Sequence, residues 1–145
     1  MRYALYVAVC MVIAWHTATG ETLRLNDAVI LTAPPPSPVV EKAAQVLQEE
    51  IQKRSGIRLV RSTEAPRGDV PLLMLEKVAL NVPDSHKPSK PEGYSVWLGK
   101  QPQGAPIVHV VGFDDRGALF GAGRLLRALN MTPGTISIDK TFGAN

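Results

Sequence analysis

The run I-V-H-V-V-G-F-D-D-R-G-A-L-F-G-A-G-R-L-L-R-A-L-N-M, Ile107 to Met131, constrains what this chain can fold into more than any other stretch. Ile107 to Val111 has the length and β-branched composition of a buried strand and breaks at Gly112. A helix follows at once. Asp114 or Asp115 is placed to cap it: a carboxylate oxygen accepts from a backbone N–H two or three residues on, and the charge suits the positive end of the helix dipole. Leu119, Ala122, Leu126 and Leu129 recur at steps of three and four residues, which predicts one buried helix face. Gly117, Gly121 and Gly123 each cost the helix about 1 kcal/mol relative to alanine. Their presence predicts that the helix backbone packs closely against a neighbour.

The rest of the chain has to complete a core around this unit. Its 145 residues, 45% hydrophobic and 20% charged, suffice for one globular domain. The first twenty residues stand apart. Arg2 gives a positive start, Tyr3 to Trp15 is apolar and uncharged, and Ala18-Thr19-Gly20 offers small residues where a signal peptidase reads. Residues 1–20 are therefore expected to be a signal peptide, cleaved before Glu21; the apolar run is too short for the ~20 residues a membrane-spanning helix needs. After cleavage no membrane association is expected.

Cys10 is the single cysteine, so the mature residues 21–145 hold neither a disulfide nor a thiolate metal site. Export without disulfides suits a bacterial periplasm or the cell exterior. Sixteen basic residues stand against 13 acidic ones, and loss of Arg2 with the leader leaves 15 against 13. That excess is too slight to argue for nucleic acid or anionic lipid.

Thr22 to Ala33 alternates and then runs apolar, predicting a first strand that Pro34-Pro35-Pro36 must end, because proline cannot donate to a ladder. Ser37 caps a helix with Pro38 at its first position. Val40, Ala43, Ala44, Leu47 and Ile51 give its buried face, Gln45, Gln48 and Glu49 fall on the solvent side, and Gly56 closes it as an αL residue. Ile57 to Val60 and Val70 to Leu75 are strand candidates, and Asn81 to Pro91 is a proline-rich connection without periodicity. Gly93 to Gly99 alternates Tyr94, Val96 and Leu98 against Ser95 and Trp97, and Thr135 to Asp139 forms a final edge strand. Two helices among several strands predict an α+β fold: a two-layer sandwich, with a mixed β-sheet carrying both helices on one face.

V-V-E-K-A-A-Q-V-L-Q-E-E-I-Q-K-R-S-G-I-R-L (Val39 to Leu59), P-E-G-Y-S-V-W-L (Pro91 to Leu98) and Ile107 to Leu129 resemble the N-terminal accessory domain of family 20 glycoside hydrolases, the β-N-acetylhexosaminidases. The N-terminal domain of α-glucuronidases is similar. The likeness runs from about Thr22 to Asp139, and its markers are Ser55-Gly56, Glu92-Gly93-Tyr94 and Asp115-Arg116-Gly117 with Phe120-Gly121. It implies a mixed sheet with two helices that precedes a catalytic (β/α)8 barrel, which is then the expected partner. A barrel takes about 250 residues, so on this reading the chain is a fragment, a truncated product or a free-standing copy of the domain.

No complete set of reactive groups is present, so no residue is assigned a catalytic, cofactor-binding or metal-binding role. In the family, two adjacent acids act within a His-x-Gly-Gly-Asp-Glu run at the end of a barrel strand. Here His109-Val110-Val111-Gly112-Phe113-Asp114-Asp115 is one residue longer and opens a helix, so capping accounts for the acids. His86 and His109 have no metal-ligand spacing around them, and G-A-L-F-G-A-G lies inside a helix, where it cannot cradle a phosphate. Trp97 is the one candidate carbohydrate contact, since an exposed indole stacks on a sugar ring; a buried one fills space beneath other groups. The leading expectation is thus a non-catalytic domain of an exported glycosidase in carbohydrate metabolism, supporting a barrel. The alternatives are a free-standing carbohydrate-binding or protein-interaction module, and, with least support, a small hydrolase.

Overall fold

The computed structural model describes residues 20–79 and 81–143. The proposed leader lies outside these residues except for Gly20. In chain order the elements are β1 (Thr22–Arg24), β2 (Val29–Thr32), α1 (Pro38–Ser55), β3 (Val60–Ser62), β4 (Leu72–Lys77), a single 3₁₀ turn (Asp84–His86), β5 (Tyr94–Lys100), β6 (Pro106–Gly112), α2 (Asp115–Ala128), β7 (Asn130–Thr132) and β8 (Thr135–Asp139).

They form an α+β sandwich with two sheets. The larger has the order β3-β2-β4-β6-β5, in which β3, β2, β4 and β6 run parallel and β5 pairs antiparallel to β6. The smaller is an antiparallel β1-β8-β7 sheet. The Thr22–Ala33 segment is accordingly two strands, parted by a turn at Asn26-Asp27 and sent to different sheets. Asn26 fixes the switch by accepting from Ile136 N–H (2.8 Å) and donating to the Gly134 carbonyl (2.9 Å). Thr135–Asp139, expected at an edge, is instead the centre of the smaller sheet, because β1 comes back to pair with it.

α1 forms where its local signals place it. Ser37 Oγ accepts from Val40 N–H, Pro38 opens the helix, and Gly56 ends it at φ 76°. Val40, Ala43, Ala44, Leu47 and Ile51 face the core as their spacing requires. Gln48 does not stay on the solvent side: it is buried and its amide donates to the Leu59 carbonyl at 2.6 Å, where the chain returns toward β3.

α2 buries a different stripe from the one the leucine spacing predicts. Gly117, Ala118, Gly121, Ala122 and Leu125 face inward, joined by Leu129, whereas Leu119 is 37% exposed and Leu126 only partly covered. Two glycines explain the rotation. A Cβ on Gly117 would sit 2.2 Å from the Gly93 carbonyl oxygen, and one on Gly121 would sit 2.6 Å from Val110 Cγ1. The small residues let the helix axis approach the sheet, so the larger ones are turned outward. Gly123, also predicted to be a packing contact, has only the Arg127 guanidinium within 4 Å of where its Cβ would be.

Both helices close over one face of the larger sheet. Ile30, Leu73, Leu75, Val108 and Val110 meet α1 and α2 there, and Ile136 and Ile138 of the smaller sheet join the same core. The opposite face carries Leu31, Leu72 and Ile107 in one group, and Trp97 and Val111, packed with Val82, in another. The second group is covered by the connection between β4 and β5.

Candidate functional site

The adjacent acids sit at the start of α2, in a turn that knots three segments together. Asp114 is the helix N-cap in extended geometry, and its Oδ1 accepts from Gly117 N–H at 2.8 Å. Its Oδ2 accepts from Glu92 N–H at 3.0 Å. Glu92 is the one described non-glycine residue with positive φ (60°), and it is held there by that bond and by an ion pair from its Oε1 to Arg116 Nη1 at 2.5 Å. The next carbonyl, Gly93, accepts from Phe113 N–H at 2.9 Å and lies against Gly117. Both oxygens of the Asp114 carboxylate thus accept a backbone N–H of this knot.

Those bonds, Gly117 first and Glu92 second, hold Asp114 below the usual carboxylate range, so it stays charged. A carboxylate held charged in that way is a poor proton donor. Asp115 pairs instead with Lys77 on β4, Nζ to Oδ1 at 3.2 Å. An open hollow of about 440 Å³ lies over Lys77, Phe113, Asp114, Asp115 and Arg116. Its charged groups are already engaged: Lys77 pairs with Asp115, Arg116 with Glu92, and Asp114 accepts from backbone N–H groups.

Trp97 lies on the opposite face of the sheet, where alternation along β5 predicts it, but it is only 9% exposed. His109 stands across from it on β6 and stacks on one side of the indole, with centroids 4.5 Å apart and planes 9° from parallel. His86, from the 3₁₀ turn, stacks on the other side at 4.4 Å and 5°. Both aromatic faces are therefore taken, and neither is open to a sugar ring in this conformation. Sequence reasoning did not find the stack: His86 lies in a segment without periodicity, and only the β5–β6 register brings Trp97 opposite His109.

Elsewhere, Arg124 lies over the Phe142 ring at 5.4 Å, and Arg61 pairs with Glu41 beside a hollow of about 370 Å³ lined by Thr32, Ser62 and Thr63. Among the described residues no three His, Cys, Asp or Glu side chains gather as a metal site would require, and no helix is long and apolar enough to cross a membrane.

No curated protein matches this chain. Similar solved structures include a Flavobacterium johnsoniae chitobiase of glycoside hydrolase family 20 (17% identity, TM-score 0.47, 81% of this chain) and a family 115 4-O-methyl-α-glucuronidase with specificity for decorated arabinogalactans (14%, 0.48, 74%). A family 138 enzyme targeting pectin rhamnogalacturonan II is a third (12%, 0.47, 70%). The chain spans only 10 to 17% of the length of these structures. The family model described as "Glycosyl hydrolase family 20, domain 2" matches residues 11–140, nearly the whole sequence, and the chain belongs to that family as its accessory domain 2.

Proposed function

We propose that this chain is the non-catalytic accessory domain of an exported glycoside hydrolase of the β-N-acetylhexosaminidase kind, and that it works by packing against and stabilising a catalytic (β/α)8 barrel. The observation that carries this reading is the combination of the match over residues 11–140 with an acid pair consumed by structure: Asp114 caps α2 and Asp115 pairs with Lys77.

The outward face of α2 supports it. Arg116, Phe120, Gly123 and Arg127 follow at steps of four, three and four residues, opposite the buried stripe. Phe120 is 46% exposed, and Leu119, Phe113 and Tyr94 are exposed beside it. Exposed apolar side chains rimmed by arginines are typical of a protein–protein contact. Gly123 has no contact of its own to justify its cost to the helix, and a bare backbone there lets a partner come close. The export part of the reading rests on Met1 to Gly20, with the periplasm or cell exterior as destination.

The test is to read the coding sequence adjoining residues 1–145 and, where an in-frame barrel is found, to express it with and without residues 21–145. The expected result is a barrel that melts at a lower temperature and aggregates more when this domain is removed. A barrel equally stable alone, or a gene with no related catalytic segment, contradicts the proposal.

A further inference from the structure

The connection between β4 and β5 is tied down at its ends, by Val78 N–H to the Gly112 carbonyl and by Glu92 and Gly93 to the start of α2. Its middle meets the sheet through Val82, buried against Trp97 and Val111, and through the His86 ring laid on the indole. Among the described residues Asp84 pairs with Lys87 of the same turn alone. Trp97 is thus the seat of the connection, with one imidazole above it and one below.

We propose that His86, Trp97 and His109 form an acid-sensitive latch, in which proton uptake by the buried His109 releases the middle of the β4–β5 connection and bares one face of Trp97. With His109 neutral, its ring stacks on the indole without charge. A proton on His109 puts a cation in a buried site, where favourable cation–π contact with the indole is opposed by the loss of water around the charge.

The surroundings of His109 offer little to offset a charge. Its Nδ1 is buried without a hydrogen-bond partner. Gly99, on β5, leaves the room its ring occupies, since a Cβ there would stand 3.3 Å from Nε2. On β4 the residue opposite is Met74, and Glu76 lies one pair further on the same face. Burial pushes the Glu76 carboxyl up, which weakens it as a counter-charge. On β6 itself the same-face neighbours are Ile107 and Val111, and on the turn the charged groups are Asp84 and Lys87, already paired. Burial first, and His86 second, accordingly hold His109 below its ordinary value of 6.5.

The sign follows from proton counting. The released form binds more protons than the latched form, so the latch is fully stable above the ordinary imidazole value and weakens as pH falls from there toward the lowered value of His109. The reading does not depend on whether a barrel adjoins the domain.

The probe is indole fluorescence in the full chain carrying Trp15→Phe, which leaves Trp97 as the sole tryptophan. Acrylamide quenching is followed from about pH 8 to about pH 4.5, bracketing the ordinary imidazole range, with circular dichroism confirming that the helices persist. A severalfold rise in quenching on acidification is expected. His109→Phe, which keeps a stacked ring that takes no proton, should keep the indole protected throughout. Should His109→Phe not fold, His86→Phe serves on the exposed side, and it should shift the transition to lower pH. Quenching that is independent of pH in the parent, or a transition unchanged in the folded phenylalanine variant, overturns the proposal.

Discussion

Gly117 faces the carbonyl oxygen of Gly93 so closely that a methyl group on Gly117 would lie 2.2 Å from it, inside any tolerable contact. The neighbour is backbone and is itself tied to Phe113 N–H, so it cannot move aside without breaking the turn that starts α2. Gly117→Ala should destabilise the domain by roughly 3 kcal/mol, at the upper end of overpacking costs. Gly123→Ala, on the same helix but with open space around it, should stabilise by up to about 1 kcal/mol. Urea unfolding of both variants checks the contrast. Equal effects of like sign would show that α2 does not lie on the Glu92–Gly93 turn.

Asp114 serves the helix start through both carboxylate oxygens, whereas Asp115 serves it only by an ion pair that is partly exposed. Asp114→Ala should lower the melting temperature by several degrees, Asp114→Asn by less because its oxygen still caps, and Asp115→Ala hardly at all. The pH dependence has a fixed direction. Because the folded-state value lies below the ordinary 3.8, the contribution of Asp114 is whole above that pH and is lost as pH falls through the lower value. Melting curves of wild type and Asp114→Asn should therefore converge in acid.

Gln48 satisfies the Leu59 carbonyl from within the core, at 2.6 Å. Gln48→Leu leaves that oxygen unpaired and should cost about 1–3 kcal/mol. Gln48→Glu should be worse at neutral pH than in acid, since only the protonated acid can donate to a carbonyl. A Gln48→Leu variant as stable as wild type in urea titration would remove this bond from the account of how α1 meets β3.

Local chemistry made much of this fold readable from the sequence. Ser37-Pro38 and Gly56 bound α1 because capping is decided within a few residues, and the Gly112-Phe113-Asp114 break placed the strand end and helix start correctly. What depends on approach distance was not readable. The buried stripe of α2 runs through Gly117, Ala118, Gly121 and Ala122, and a periodicity of large apolar residues points away from a face selected for smallness. The sheet switch at Asn26-Asp27 is silent for a similar reason, since alternation sets which way a side chain points and says nothing about which sheet receives it. Of the candidate site residues, the acids were legible as a cap, while the enclosure of Trp97 follows from a register and from a turn some ten residues away.

The most direct measurement is an assay of the purified chain on an aryl N-acetylglucosaminide, with Asp114→Asn and Asp115→Asn alongside. The account predicts no turnover above buffer from any of the three, because both acids are engaged in holding α2 to the sheet. Turnover by the wild-type chain that disappears with either substitution would contradict it.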